Sequence, residues 1–463
     1  MIRYILLAAV VCIMGSCEKL LDVDPSDKLS NETVFSDLSG ARAALVGAYS
    51  SLLTLDKYHG NRMIYPDLVA GNLLYSKTTN VRLMDLYSFL QDAETSSMNS
   101  TYTDYYSFLN NVNNILAAAT RLGDTTNAAV RRLEAEARCL RALGHFDLLR
   151  LFSRPYTYTQ DASHPGIVIN LAPRLYNDPL PQRSSATVSY KAVTDDLETA
   201  LRYFANTTPL LTGGYTQNTF NAVSAEALLA KVYLYQEKWQ QAYMHADNVI
   251  RTGGRTLMTN QQYVASWTTR VPSSESILEL ALEANFAGTT LGNYYGDNGP
   301  EQQYEAHPSL YTLYRENDVR GLATLFVPKT ISGRIAYFTA KYKGAAANAT
   351  PIKVLRLSDI VLIRAEAAAH LSNLQQGYDD LNLIRMRADT SEVKLGVTDM
   401  ADLLYWIRQE RRKEFAFEGE YFFDLIREKR GLPAIPFEDY RMVLPLPKTA
   451  TDVNPSLKQN NGY

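Results

Sequence analysis

Three glutamates stand four residues apart in Glu410-Arg411-Arg412-Lys413-Glu414-Phe415-Ala416-Phe417-Glu418. Carboxylates on one helix face are where acid–base chemistry is sought first. The same run argues against it: Arg411, Arg412, Lys413 and Arg427 lie close enough to neutralise those carboxylates. Phe415, Phe417, Phe422 and Phe423 alternate with them as core residues, so the motif reads as a paired, part-buried ionic junction. Glu366, Arg364 and Arg385 read likewise as inter-helix ion pairs. The six histidines (His59, His145, His164, His245, His307 and His370) include no pair at i, i+4 and none in cysteine company, so no metal site is indicated. No nucleophile elbow, phosphate-cradling glycine loop or dinucleotide fingerprint occurs. The sequence therefore assigns no catalytic residue, no metal and no cofactor. A glycosidase needs only two carboxylates, and spacing alone leaves a surface glycoside hydrolase open as an alternative.

Binding chemistry has better support. The chain carries 31 Tyr against 15 Phe and 3 Trp, and tyrosine suits surfaces that stay wet yet stack on something flat. A pyranose ring offers an apolar face of C–H bonds, which an exposed ring flanked by amides and hydroxyls can cover while bonding its rim. Three segments have that composition. Tyr58 to Tyr75 contains Tyr65 with Asn61, Arg62, Asp67 and Asn72; Ala284 to Tyr304 contains Tyr294 and Tyr295 with Asn285, Asn293, Asp297 and Asn298; and Trp267 lies in a loop of its own. Tyr294 and Tyr295, between glycines and asparagines, are expected to expose both ring faces and to be the foremost ligand contacts, with Tyr65, Tyr75 and Trp267 next. Packing at the rim of the helices is the competing reading for each.

At the start of the chain, Arg3 precedes an apolar run, Ile5 to Met14, too short to span a bilayer, and Gly15-Ser16-Cys17 closes it. This has the form of a lipoprotein signal: residues 1–16 are removed and Cys17 is lipidated, anchoring residues 17–463 without a transmembrane helix. An ordinary secretory peptide with a chance cysteine is the alternative. Cys12 leaves with the signal, so Cys139 is the one thiol left in the exported chain and no internal disulfide can form. Its helical surroundings read as core. The net charge of −3, with both signs interleaved, gives no nucleic-acid footprint.

The elements that must position these residues are mostly helical. Tyr102 to Thr120 and Asn127 to Phe152 read as a hairpin broken at Gly123-Asp124, Tyr190 to Phe204 as a further helix, and Phe220 to Gln236 with Trp239 to Arg251 as a second hairpin. Ala230, Tyr233 and Ala242 fall at tetratricopeptide-repeat offsets, and the same small-to-small spacing recurs from Ala365 to Gly377 in the hairpin Ser358 to Leu371 and Gly377 to Ala388. Between the hairpin blocks, about 40–251 and 356–430, lies a loop-rich insert at about 253–351 with short alternating runs at Ile277 to Leu280 and Tyr337 to Thr339. An insert of that length is usually functional. Residues 153 to 189 form a second, proline-rich excursion. The fold class is mainly α, with tetratricopeptide-like hairpins carrying an irregular insert, in one domain from 17 to 463.

Several motifs, in order, resemble the SusD/RagB family of outer-membrane nutrient-binding lipoproteins. They are Ser16-Cys17-Glu18-Lys19-Leu20-Leu21-Asp22; Ala135-Glu136-Ala137-Arg138-Cys139-Leu140-Arg141-Ala142 followed by His145-Phe146-Asp147-Leu148-Leu149-Arg150-Leu151-Phe152; Arg356-Leu357-Ser358-Asp359 through Arg364-Ala365-Glu366-Ala367; and the Glu410 to Glu420 run with Asp424-Leu425-Ile426-Arg427. Arg154, where a glycine usually closes that helix, and Glu420, where a basic residue is common, depart from the pattern. The resemblance implies a SusD-like fold and an outer-membrane lipoprotein facing the cell exterior. It also implies capture of oligosaccharides, or in some branches peptides, for a TonB-dependent β-barrel transporter, without catalysis.

Overall fold

The computed structural model describes residues 34–77, 81–123, 126–175, 177–211, 213–282, 286, 288–296, 303–342 and 350–463. Cys17 and the signal segment lie outside them, as do Asp124, Asn285, Asp297 and Asn298. The helical part is built from α1 (Leu38–Ser51), α2 (Asn61–Val69), α3 (Asn99–Arg121), α4 (Ala128–Phe152), α5 (Ala186–Phe204), α6 (Ala222–Tyr235) and α7 (Trp239–Thr252). After the insert follow α9 (Leu357–His370), α10 (Leu374–Ala388), α11 (Met400–Glu414) and α12 (Tyr421–Arg427), with the short α8 (Leu291–Tyr295) inside the insert. The fold is mainly α.

Local chemistry sets the boundaries. Asn127 caps α4 by accepting from Ala129 N, Ser185 caps α5 by accepting from Val188 N, and Asn221 caps α6 by accepting from Val223 N and Ser224 N. The α5 helix thus starts before Tyr190, because the Ser185 cap serves a first turn that the preceding prolines conceal in the sequence. α3 ends at Gly123, whose φ of +69° suits glycine.

The small residues act as their spacing suggests. Ala230, Ala242 and Ala365 are fully buried. A Cβ on Gly377 would lie 2.6 Å from Leu403 Cδ2 and 3.0 Å from Ala365 O, so α10 reaches α9 that closely only with glycine there. Cys139 is buried in α4, and burial pushes its thiol well above the ordinary range.

Three two-stranded antiparallel ladders organise the insert. β1 (Leu73–Tyr75) pairs with β3 (Tyr304–Ala306), bringing Tyr75 opposite Tyr304. β2 (Ser276–Leu280) pairs with β6 (Ile352–Arg356), closing the insert's two ends on each other. β4 (Phe326–Ile331) and β5 (Arg334–Thr339) form a hairpin turned at Ser332-Gly333. One continuous apolar core takes residues from α1, the helical hairpins, the insert and the C-terminal segment, and a smaller one lies among α9, α10 and α11.

Ion pairs lock the insert to the helices. Glu414 is fully buried, and Arg320 Nη1 (2.8 Å), Arg356 Nη1 (2.5 Å) and Arg387 Nη2 (2.5 Å) all donate to it. Burial alone would raise its carboxyl; Arg387, Arg356 and Arg320 outweigh that and hold it well below the usual carboxylate range. Arg320 also binds Glu410 (2.6 Å), while Lys341 (2.7 Å) and Arg356 (2.9 Å) bind Glu418. The carboxylates are neutralised, as expected, but Lys413 is the one neighbour that takes part, on Glu410. Arg411 turns to Asp359 and Asp424, Arg412 to Asn72, and Arg427 to Glu366 and Asp424. Arg364 meets Asp380 and Asp247, and Arg385 meets Glu392. Removing Glu414 leaves three buried guanidiniums without their shared counter-charge, so Glu414→Ala should cost about 3–5 kcal/mol. Urea unfolding measures it, with Lys191→Ala in the exposed Lys191–Asp195 pair leaving the midpoint in place.

Candidate functional site

Four of the five aromatic residues singled out by sequence, Tyr75, Tyr294, Tyr295 and Trp267, lie along one connected set of side chains, and Tyr65 lies outside it. Tyr75 leaves β1 with its ring 5.4 Å from that of Tyr304 and 5.0 Å, edge-on, from that of Tyr87. The hydroxyls of Tyr75 (2.5 Å) and Tyr304 (3.0 Å) both donate to Arg82 O. Arg82 N donates to Gln303 Oε1 at 2.7 Å, its Nη2 to Asn61 Oδ1 at 2.9 Å, and its guanidinium lies 5.9 Å from the centre of the Tyr294 ring. Behind this knot, Tyr295 packs on Tyr304 (6.1 Å), Tyr342 (5.8 Å) and Phe417 (6.0 Å). Tyr342 meets Trp267 at 6.0 Å, and Lys341 and Lys353 each stand 4.7 Å from the Trp267 ring. A ladder of rings therefore runs from Trp267 through Tyr342, Tyr295, Tyr304 and Tyr75 to Tyr87.

That placement corrects the expectation of wet platforms. Trp267 is 0%, Tyr295 1%, Tyr65 2% and Tyr294 4% exposed, so these four rings belong to the core; Tyr75 is half-buried. The polar neighbours that suggested a surface bind the protein instead. Asn61 donates to Thr101 Oγ1, Arg62 pairs with Asp147 and Glu420, Asp67 accepts from Asn72 Nδ2 (2.6 Å) and Gly419 N (2.9 Å), and Asn293 accepts from Thr290 N. Tyr65 lies on α2, every residue of which is buried, and packs against Phe422 at 5.2 Å. Sequence reasoning missed Arg82 and Tyr87. A tyrosine twelve residues beyond Tyr75, in the turn of helix Met84–Tyr87, was the available signal.

Burial sets the electrostatics of this region. Burial keeps the Tyr295 and Tyr304 hydroxyls well above their ordinary pKa, so they remain protonated. Burial pushes the Asp67 carboxyl up to about 7, the kind of shift a general acid shows. Asp67 is nonetheless fully buried and held by Asn72 and Gly419, out of a substrate's reach. Burial likewise depresses His59 to about 4 and His145 to about 3, leaving both neutral. His370 stacks flat on Trp239 at 3.8 Å, and His245 stacks on Tyr233 while bonding Glu226. Among the described residues no group of three His, Cys, Asp or Glu side chains could hold a metal ion. Among the described residues, also, no helix is long and apolar enough to cross a membrane.

Comparison with known proteins agrees with this architecture. Residues 283–441 match the family model described as the SusD family, and residues 21–234 match the model described as starch-binding associating with outer membrane. SusD-like protein P38 of Formosa agariphila is 22% identical, the match covering 97% of this chain and 96% of that protein. A crystal structure of a SusD superfamily protein from Bacteroides thetaiotaomicron superposes with a TM-score of 0.80 at 25% identity, over 91% of this chain and 99% of its own. Another, from Bacteroides vulgatus, gives 0.78 at 26% identity over 92% and 99%. With the two family models matched in order along the chain and the fold shared over nearly its full length, the chain belongs to the SusD-like family.

Proposed function

We propose that this protein is a lipid-anchored receptor on the outer face of the outer membrane, which binds oligosaccharides unaltered and passes them to a TonB-dependent β-barrel transporter. The observation that carries the reading is the half-exposed pair Tyr75 and Tyr87, set ring to ring and backed by buried aromatics. Arg82, itself half-buried beside them, is fixed by Gln303 and Asn61. Such a surface offers a sugar an apolar ring face with hydrogen-bonding groups at its edge. Tyr294, Tyr295 and Trp267 serve it from beneath, and Tyr65 sits deeper, against Phe422. A ligand held this way needs neither metal nor cofactor.

Separating ligand platform from support tests the assignment. Tyr87→Ala should weaken oligosaccharide binding about tenfold in isothermal titration with little change in melting temperature. Tyr295→Ala should instead cost about 3–5 kcal/mol of stability, as deletion of a buried ring does. A glycan panel titrated beside a peptide pool decides the ligand class. Heat from peptides alone moves the protein to the peptide-binding branch.

The reading also requires the ligand to be returned intact. After prolonged incubation, mass spectrometry should recover the bound oligosaccharide at its original length. Cleavage products that disappear in a Glu→Gln variant would establish the glycoside hydrolase instead.

Anchorage rests on Cys17. Cys17→Ala should yield a folded protein that no longer fractionates with membranes or incorporates lipid label. Membrane retention of that variant in cells lacking the barrel partner would refute the lipid anchor.

A further inference from the structure

A groove of about 520 Å³ opens between α1 and the loop before α6, apart from the tyrosines discussed above. Its floor is apolar: Val46 and Tyr49 from α1, Leu53 just beyond its end, Leu280 at the end of β2, and Pro209 and Leu211 from the loop. The Tyr49 ring cannot swing, because its hydroxyl donates to Glu136 Oε2 at 2.9 Å and accepts from Phe220 N at 2.7 Å. Along the rim stand Ser50, Tyr215 and Thr219. None of these three hydroxyls has a hydrogen-bond partner among the described residues, and Thr219 is only 8% exposed while lining the groove. The Tyr215 ring is 50% exposed. Gly213 has open space where a Cβ would stand, and a Cβ on Gly214 would meet only Asn218 Oδ1, at 3.8 Å, so this side of the groove is left clear.

Among the described residues no charged side chain lines the groove, in a chain whose residues are 21% charged. A carboxylate or phosphate would find no counter-ion there. A purely apolar ligand would displace water from three hydroxyls and leave them unpaired, which is costly when they are desolvated. What fits is a neutral ligand with an apolar face and hydroxyls around its edge. The volume falls within the range of small-ligand sites. We infer that the groove between α1 and the loop residues Pro209, Leu211 and Gly213 to Thr219 is a second binding site, for a neutral oligosaccharide, with Tyr49 and Tyr215 supplying ring surface and Ser50, Thr219 and the Tyr215 hydroxyl bonding the rim.

This inference stands on the groove's own chemistry and does not require the Tyr75–Tyr87 face to bind sugar. The probe is maltoheptaose, with a galacturonate oligomer of similar length as its charged counterpart. Isothermal titration of the full mature protein should show maltoheptaose occupying a site that Tyr215→Ala weakens about tenfold. The same site should be abolished by Ser50→Trp, which fills the groove from an exposed helix position, and kept by Tyr87→Ala. Thr219→Val should weaken it without shifting the melting temperature, and the galacturonate oligomer should not compete for it. The inference is overturned if Tyr215→Ala and folded Ser50→Trp titrate like the wild type, if the acidic oligomer binds the groove equally well, or if maltoheptaose gives no heat with the wild type. Loss of all binding in Tyr87→Ala with Tyr215→Ala unaffected would likewise overturn the groove site while leaving the Tyr75–Tyr87 face intact.

Discussion

Charge pairing in the interior fixes how the insert meets the helices. Glu414 draws arginines from three separate places: Arg320 in the insert, Arg356 at the end of β6 and Arg387 on α10. Glu414 shares the neutralisation of these buried guanidiniums with Asp318 and Glu410 on Arg320 and Glu418 on Arg356, so the cluster ties insert and helices together through several shared charges. A second cluster does the same for α2. Arg62 binds both Asp147 on α4 and Glu420, and Glu420 is shared with Arg150 and Lys231. With α2 held at Arg62, the strand that follows it and the tyrosine at its end have little freedom. Glu420, like Glu414, is an acid that three cations share.

Regular elements were legible in the sequence because their signals are local. Periodicity and small residues marked the hairpins, and the structure moves their ends by only a few residues, with the side-chain caps Asn221 and Asn373 setting the starts of α6 and α10. The insert's two alternating runs became strands β2 and β5. The pairing of charges was not legible, since it is made through space. Glu414 and Arg320 are 94 positions apart, and nothing in the run around Glu414 announces that its counter-ions come from the insert in preference to Arg411 or Arg412.

Which tyrosines reach the surface was legible only in part, and the reason is chemical. A tyrosine flanked by amides and hydroxyls reads the same whether it stands in water or in the core, because its hydroxyl needs a partner in both settings. Tyr295 and Tyr75 have similar neighbours in the sequence. What separates them is that α8 folds Tyr295 against Tyr342 and Phe417, whereas Tyr75 ends an edge strand paired on one side only. Composition located the region; only the tertiary fold could decide which rings reach solvent.

Rigidity bears on the ligand capture proposed for this protein. Tyr75 is fixed by its hydrogen bond to Arg82 O, and Tyr49 by Glu136 and Phe220, so neither ring surface has to be ordered when a sugar arrives. Preorganisation of that kind lowers the entropic cost of binding without requiring many contacts. A receptor meant to release its cargo gains little from one tight site. On the proposed reading, two modest sites on one rigid body would hold a long polysaccharide through effective concentration, since release from one leaves the chain tethered at the other. Shorter fragments, able to reach only one site at a time, would then dissociate more readily than the polymer.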